Sequence, residues 1–365
     1  MTVYLDHNAA APLRPAAAAA VAAAMGLIGN PSSVHDHGRR ARRLIEDART
    51  AVALSAGARP ADVVFTGSGT EACQLALRIG GRTRLLASAS EHAAVLQAPA
   101  GARLLPLNGD GILDLAALEA ALGADARDAI VAVMLANNET GTVQPVRKIA
   151  EIVHRAGGAL VVDAAQAYGK LALDLNELGA DAVAVSAAKI GGPLGVGAAI
   201  FRLGVAPQGL IVGGGQERGL RGGSENLIGI AGFGAAASEI DASIADQPRL
   251  KQLRDRMERA ILMIDAEAVA IGGAGPRLAN TAAIPMHGVE AVTQVMAFDL
   301  AGYAVSAGAA CSSGKVAASH VLQAMGLPSP TVAATIRISL GLTTTAADTA
   351  GFVEAWRTLY NRKRQ

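Results

Sequence analysis

The chain has 365 residues, which is enough for two domains or for one large domain with a smaller one built from the chain ends. Its 32 Lys and Arg residues nearly balance its 31 Asp and Glu residues, so the formal net charge of +1 argues against nucleic acid or an anionic membrane as the main partner. Hydrophobic residues make up 51% of the chain but aromatic residues only 3%, so the core must be packed from Ala, Val, Leu and Ile.

The N-terminal segment, MTVYLDHNAAAPLRP, lacks a basic region followed by an apolar one and does not resemble a signal peptide. The alanine-rich run that follows is bounded by Pro15 and Gly26, well short of the roughly 20 apolar residues that a membrane-spanning helix needs. Two cysteines, Cys73 and Cys311, are too few for the disulfide framework of a small secreted protein. We therefore expect a cytoplasmic protein without a membrane partner.

Short runs rich in Val, Ile and Leu alternate with helical segments along the first part of the chain. This alternation predicts an α/β fold with a mainly parallel central sheet covered by helices. The predicted strands are ADVVFTG, TRLLAS, ARLLPL, DAIVAVMLA, GALVVDA, DAVAVSA and GVGAAIF, and the predicted helices between them include GTEACQLALRIGG, LAALEAALGA and VRKIAEIVHRAG.

After Asn226 the pattern predicts a long helical stretch through Ile230 to Ile264, and a smaller β/α segment from about Ile271. Pro248 marks a break, and we expect the first dozen or so residues to pack with the C-terminal part of the chain. The predicted domains are a large one over 14–250 and a small one formed by 1–13 plus 251–365.

The segment FTGSGTEACQLAL is a candidate for binding an anion. A strand ends at Thr66, small residues turn the chain, and the following helix directs free N–H groups and its positive dipole end outward. Gly69 and Thr70 would donate hydrogen bonds to a phosphate, although such a turn taken alone is usually an ordinary loop. Cys73 falls inside the helix, where we expect a small buried apolar residue.

A lysine lies at the mouth of a predicted buried strand. Lys189 follows DAVAVSAA and precedes a glycine-rich turn, and Asp163 ends the strand GALVVD. Pyridoxal phosphate (PLP) needs a lysine that forms a Schiff base and an acid beside its pyridinium nitrogen. A lone lysine in a loop is more often a surface residue, but Asp163 and the anion-binding turn favour the cofactor site. Ser186 would add a hydrogen bond to the phosphate.

Motifs along nearly the whole chain carry a family resemblance: YLDHNAAAP, GNPSSVHDHG, GTEA, SEHAAVL, NNETGTVQP, VDAAQAYGK, SAAKIGGPLGVGA, GGGQERGLRGGSEN, AGAACSSG and IRISLG. In this order they resemble the cysteine desulfurases, in the class V aminotransferase branch of the fold-type I PLP-dependent transferases. The stretch SAGAACSSGKVAASHVL is similar to the iron-sulfur-cluster type. The resemblance implies a fold-type I architecture with a smaller α/β C-terminal domain, and L-cysteine as substrate.

The resemblance implies catalytic roles for three residues. Lys189 would hold PLP covalently and move the α-proton of the substrate, and His92 would lie over the face of the pyridine ring. Without the resemblance, His92 would be a helix-start histidine bonded to backbone. Cys311 would attack the sulfur of L-cysteine as a thiolate and keep it as a persulfide, while alanine is released.

The resemblance also implies binding roles. Asp163 would keep the pyridine nitrogen protonated, and Asn138 and Gln166 would bond near the phenolic oxygen of PLP and the substrate carboxylate. Arg337 would grip that carboxylate with its planar fork, since an arginine inside an apolar strand is costly without such a ligand. Ser224 would reach the phosphate held by the other subunit, which implies a homodimer with shared sites.

One residue departs from the family pattern of Ser-x-His-Lys before the lysine. Here Ala188 precedes Lys189, so a side-chain hydrogen bond to the phosphate is missing and PLP retention is expected to be weaker unless another group compensates. Three functions stay open. They are a cysteine desulfurase that feeds a sulfur acceptor such as an iron-sulfur scaffold, a selenocysteine lyase or another class V aminotransferase or lyase, and a catalytically weak binding or scaffold subunit. No metal site is expected.

Overall fold

The computed structural model describes residues 2–99, 101–308 and 318–363, so Cys311 lies outside the described residues. The strands are β1 Val3–Tyr4, β2 Val63–Thr66, β3 Arg84–Ser88, β4 Arg103–Leu105, β5 Ala129–Met134, β6 Ala159–Asp163, β7 Ala182–Ser186, β8 Gly197–Phe201, β9 Thr281–Pro285, β10 Tyr303–Ala304, β11 Ser306–Ala307 and β12 Thr335–Ser339.

The helices alternate with these strands. They are α1 Pro15–Met25, α2 Asp36–Leu54, α3 Gly69–Ala76, α4 Ala93–Leu96, α5 Leu115–Leu122, α6 Val146–Arg155, α7 Leu175–Leu178, α8 Leu227–Ala237, α9 Ile240–Ala245, α10 Gln247–Ile264, α11 Ala291–Leu300, α12 His320–Ala324, α13 Ser329–Ala334 and α14 Ala346–Lys363. Short 3₁₀ turns cover Pro60–Asp62 and Ala187–Lys189, and a kinked turn covers Gln216–Gly219.

A seven-stranded sheet forms the centre of the described structure, in the order β2-β8-β7-β6-β5-β3-β4. Neighbours from β4 to β7 pair in parallel, and β8 runs antiparallel to both β7 and β2. Every residue of β5, β6 and β7 is buried, because apolar clusters cover both faces of the sheet. The predicted α/β fold with a mainly parallel sheet is confirmed, and each predicted strand is present.

The strand directions bring the predicted site residues to one edge of this sheet. Because β2 and β7 both run antiparallel to β8, they share a direction with β5 and β6. Gly197 at the start of β8 pairs with Thr66 on one side and with Ser186 on the other. The carboxyl ends of β2, β6 and β7 therefore lie close together, where ligands bind in open α/β sheets.

The N-terminal and C-terminal parts of the chain pack together around smaller sheets. Strand β1 pairs in parallel with β10, and β11, β12 and β9 form an antiparallel sheet. Leu5 shares an apolar cluster with Phe298, Phe352 and Trp356, and the Phe298 and Trp356 rings stack 5.8 Å apart. The domain bounds over 14–250 and over 1–13 plus 251–365 stay a prediction.

The helical stretch predicted through Ile230 to Ile264 is divided into α8, α9 and α10. The first break lies where Arg14 donates to the main-chain oxygen of Glu239 at 3.3 Å and pairs with its carboxylate at 3.1 Å. At the second break Pro248 lacks a main-chain N–H and occupies the first turn of α10, the helix position that tolerates proline best. The stretch is helical and breaks near Pro248, as predicted, whereas the break near Glu239 was not predicted.

Within the described ranges, no single helix has the length and apolar character needed to cross a membrane. The bent pair Leu227–Ala237 and Ile240–Ile264, with 46° between its members, meets that requirement jointly, on length and composition alone.

Candidate active site

A pocket of about 430 Å³ at the carboxyl edge of the large sheet collects most of the predicted site residues. The predicted residues in its wall are Gly69, Thr70, His92, Asn138, Asp163, Gln166, Ser186, Lys189 and Arg337, and Ala188 lines it as well. Ser224 is exposed and is not part of this wall, and Cys311 lies outside the described residues. Predicted site residues as far apart in sequence as Gly69 and Arg337 thus share one pocket.

The start of α3 forms one wall of the pocket. Ser68 caps the helix by accepting the main-chain N–H of Glu71 at 3.1 Å. A Cβ atom on Gly69 would lie 3.0 Å from the Cβ of Ser186, so the helix start packs tightly against the end of β7. Main-chain N–H groups at a helix start and a hydroxyl beside them form a cradle that suits a phosphate.

A buried carboxylate forms a second part of the wall. Asp163 is 9% exposed, and its Oδ1 accepts the main-chain N–H of Ala165 at 2.8 Å. The Cys73 thiol, one helical turn after Gly69, also bonds to Asp163. Burial, and then the charges of Asp163 and Glu91, raise the pKa of Cys73 well above its usual value. Cys73 is buried, as predicted. Its contact with Asp163 was not predicted, although Cys73 lies one helical turn after Gly69, a residue predicted to belong to the site.

Glu91 lies behind the same wall and is fully buried. Its Oε1 accepts the main-chain N–H of Met134, which pairs with Asp163 across β5 and β6. Burial, followed by the charge of Asp163, raises the pKa of Glu91 well above its usual range. Burial and the nearby Asp163 carboxylate thus both favour the protonated form of Glu91.

Lys189 ends the 3₁₀ turn that follows β7. Its Nζ donates to the main-chain oxygen of Asn8 at 3.0 Å and also to that of Ala9. Asn8 and Ala9 themselves line the pocket, so the N-terminal segment closes it over the lysine. Sequence reasoning recognised the motif YLDHNAAAP but assigned no site role to Asn8.

Arg337 occupies the middle of β12 and is 3% exposed. It pairs with Asp6 at 2.6 Å and donates to the main-chain oxygen of Asn138 at 3.0 Å. Asp6 therefore compensates the buried positive charge of Arg337 within the chain, and this partner was not predicted from the sequence. Binding of a substrate carboxylate by Arg337 stays a prediction.

His92 bonds to backbone at the start of a helix, and its role over the pyridine ring of PLP stays a prediction. Its Nδ1 caps α4 by accepting the main-chain N–H of Ala94 at 3.1 Å, and the residue also lines the pocket. The ring is thus held by backbone at the site where a planar cofactor could lie against it.

The loop that carries Ser224 is attached to the cradle. Arg221 pairs with Glu71 at 2.8 Å, and Glu71 in turn accepts the main-chain N–H of Gly67 at 2.8 Å. Val212 in the same loop is 93% exposed, and Leu194 at the pocket is 77% exposed. Contact of Ser224 with a second subunit stays a prediction.

Comparisons with known proteins identify the family of the chain. The family model described as Aminotransferase class-V matches residues 3–352. A cysteine desulfurase of Cereibacter sphaeroides is 42% identical, with 95% of this chain and 92% of the relative covered, and an IscS-like cysteine desulfurase of Mycobacterium tuberculosis is 38% identical, with 96% and 94% covered. The structure of a NifS-like protein from Rickettsia africae superposes with a TM-score of 0.92 at 32% identity, covering 99% of this chain and 100% of the other.

A structure of SspA in complex with cysteine is similar with a TM-score of 0.79 at 26% identity, covering 94% of this chain and 100% of that one. The family match spans almost the whole chain, and the relatives are matched over nearly their full length. The chain belongs to the class-V aminotransferase family and, within it, to the branch of the cysteine desulfurases.

Proposed function

We propose that this protein is a PLP-dependent cysteine desulfurase. The observation that carries the proposal is that Lys189, Asp163 and the α3 cradle line a single pocket in a chain that is 42% identical to a named cysteine desulfurase. An amine, a buried carboxylate and an anion cradle are the three groups that PLP requires. When bound, PLP would act as an electron sink for bonds at the α-carbon of an amino acid.

The residues present fit this cofactor. Gly69, Thr70 and Ser186 would hold the phosphate, since the tight packing of Gly69 on Ser186 leaves room there for main-chain donors but not for a larger side chain. Asp163 would hold the pyridinium N–H, which would compensate the buried charge of that carboxylate. Lys189 would bind covalently, and His92 would stack on the ring.

Substrate handling would fall to residues around the N-terminal segment. Arg337, with Asn138 beside it, would bind the carboxylate of L-cysteine, and Asp6 would keep the guanidinium in one orientation. The Lys189 Nζ would take the α-proton of the substrate, and His92 would hold a proton near the substrate sulfur.

Sulfur transfer would take place on Cys311. L-cysteine and the Cys311 thiol would become L-alanine and a persulfide: the substrate Cβ–S bond breaks, an S–S bond forms, the C–S electron pair stays on carbon, and one proton ends on the alanine methyl group. Cys73 is a poor nucleophile, because its raised pKa keeps it as a thiol. Of the two cysteines in the chain, Cys311 is therefore the proposed carrier.

Partners follow from the same proposal. We infer a homodimer in which Ser224 reaches the phosphate of the second subunit, because the Ser224 loop is exposed and attached to the cradle. An acceptor protein, such as an iron-sulfur scaffold, would remove the persulfide sulfur. A reducing cytoplasm would suit a carrier that must return to the thiol.

The test uses purified protein with PLP, L-cysteine and a reductant, and measures alanine and sulfide. Wild type should form both in equal amounts, Cys311→Ala should form neither, and Cys73→Ala should still carry a persulfide on Cys311 by peptide mass. Sulfide from Cys311→Ala would refute the sulfur-carrier role. Pyruvate or glutamate-dependent transamination would favour another class V activity, and PLP binding without turnover would favour a scaffold subunit.

A further inference from the structure

A second lysine lies beside the pocket. Lys170 follows Gln166 by four residues in the turn after β6, and it is 9% exposed. Its Nζ donates to the Oδ1 of Asn8 at 2.7 Å and to the Oε1 of Gln166 at 2.8 Å. Both acceptors are neutral amide oxygens and not carboxylates. Burying an amine without a carboxylate partner costs free energy. The contacts of Lys170 with Asn8 and Gln166 are therefore considered for what they do to these two amides.

The surroundings of Lys170 disfavour its charged form. Burial, and then the positive charges of Lys189 and Arg337, lower the pKa of Lys170 well below its usual value. The Lys170 nitrogen contacts only the oxygen ends of the Asn8 and Gln166 amides, and these oxygens cannot donate. Lys170 therefore acts on these amides as a donor.

The first consequence concerns the direction of the Gln166 amide. A side-chain amide can turn over, because its oxygen and nitrogen ends have the same shape but opposite hydrogen-bonding character. Lys170 donates to Oε1, so the NH₂ group points the other way and donates to the main-chain oxygen of Asn8 at 2.8 Å. That oxygen also accepts Lys189 Nζ at 3.0 Å. The Asn8 oxygen takes one of the two hydrogens on the Gln166 Nε2, and the second hydrogen remains as a donor.

The second consequence concerns Asn8. Its Oδ1 accepts from Lys170 and from Asn280 at 3.0 Å, so its NH₂ group faces Thr281 at 2.9 Å and the main-chain oxygen of Asn138 at 3.2 Å. Lys170 thus orients two amides at once: that of Asn8, in the segment that covers Lys189, and that of Gln166, which bonds to this segment.

We propose that Lys170 is a positioning residue for the cofactor pocket, where it turns the Gln166 amide so that an N–H donor faces the phenolic oxygen of PLP. This inference rests on the proposed function, since it assigns a use to the cofactor site. Lys170 touches neither cofactor nor substrate and acts through Gln166 and Asn8.

The test titrates PLP against the apoprotein and records the visible absorption of the bound cofactor. Lys170→Met keeps the length of the side chain but removes the donor. We expect it to weaken PLP binding about tenfold, which corresponds to about 1.4 kcal/mol, and to change the ratio of the visible bands because the phenolic oxygen loses a donor. Lys148→Met on the exposed face of α6 is the matched control and should leave both unchanged.

The route through Gln166 is tested by combining variants. Gln166→Leu should weaken PLP binding to a similar extent. The double variant of Lys170→Met and Gln166→Leu should bind PLP within about twofold of Gln166→Leu alone, because the effects of substitutions at contacting residues that act as a unit do not add. Losses that multiply would overturn the proposal. So would a Lys170→Met protein that folds and keeps the wild-type affinity and spectrum.

A further variant covers the case in which Lys170→Met does not fold. Gln166→Glu keeps an oxygen for Lys170 but presents a second oxygen to the pocket, so it should bind PLP more weakly than Gln166→Leu. Wild-type binding by Gln166→Glu would refute the need for an N–H donor. A wild type that binds no PLP would overturn the proposed function as well, whereas normal desulfuration with an unaltered Lys170→Met spectrum would overturn only the inference about Lys170.

Discussion

Glu217 stabilises the loop that precedes Ser224, and its removal should be costly. Its carboxylate accepts two hydrogen bonds from the Arg49 guanidinium, both at 2.7 Å, and one from the main-chain N–H of Phe65 at 2.8 Å. The Glu217 and Arg49 side chains are only 2% and 5% exposed. This buried bidentate pair joins the loop to α2 and β2.

The pair also supports an unusual backbone. Glu217 and Arg218 have φ angles of 46° and 59°, in the left-handed region that side chains other than glycine rarely adopt. Burial by itself would lower the pKa of Arg49, but its hydrogen bonds and ion pair with Glu217 outweigh burial and raise it. The contacts of Glu217 thus offset both the backbone strain and the buried charge of Arg49.

Glu217→Gln should lower the free energy of unfolding by about 3 kcal/mol. Removing one partner of a buried ion pair typically costs about 3–5 kcal/mol, and the lower end applies because glutamine can still accept from Phe65. Arg49→Met should cost a similar amount. The double variant should lose about 2 kcal/mol less unfolding free energy than the two single variants together, because it leaves neither charge buried alone.

The assay is urea unfolding followed by circular dichroism at one fixed protein concentration. Glu354→Gln, which breaks an exposed pair with Arg357 at 3.3 Å, is the control and should change stability by less than about 1 kcal/mol. The reasoning would be refuted if Glu217→Gln fell within about 1 kcal/mol of wild type, or if the two single losses simply added.

Two further predictions concern pH and cofactor retention. Burial, and then the charge of Lys170, lower the pKa of His7 from 6.5 to about 4. Between pH 6.5 and pH 4 the unfolded chain therefore binds a proton at His7 more readily than the folded chain does. The free energy of unfolding should fall by about 2 kcal/mol from pH 7 to pH 5. Urea midpoints at the two pH values measure this loss, and an unchanged slope in His7→Asn would contradict it. Ala188→His should bind PLP more tightly than wild type by titration of the apoprotein, since it supplies a phosphate donor where Ala188 lines the pocket; equal affinity would count against a missing hydrogen bond.

Much of the fold and part of the site could be predicted from local sequence. Runs such as ALVVD and AVAVS have the length and composition of strands buried on both faces, so their strand character does not depend on distant residues. Because parallel strands end at a common edge, the topology places Asp163, at the end of β6, near Lys189, just after β7. The expectation of a PLP site used Lys189, Asp163 and the anion-binding turn, and the sheet places all three at this edge.

Contacts across long sequence separations were decided only by the tertiary structure. Lys170 meets Asn8 across 162 positions, and Arg337 meets Asp6 across 331. Arg14 reaches Glu239 across 225 positions, at the first break in the predicted helical stretch. Hydrophobic periodicity reports which side of an element is buried, but it does not report which polar group will face it from elsewhere in the chain. The sequence therefore determined the sheet and the identity of the lysine and acid, whereas packing of the N-terminal segment over the sheet edge determined the partners that orient them.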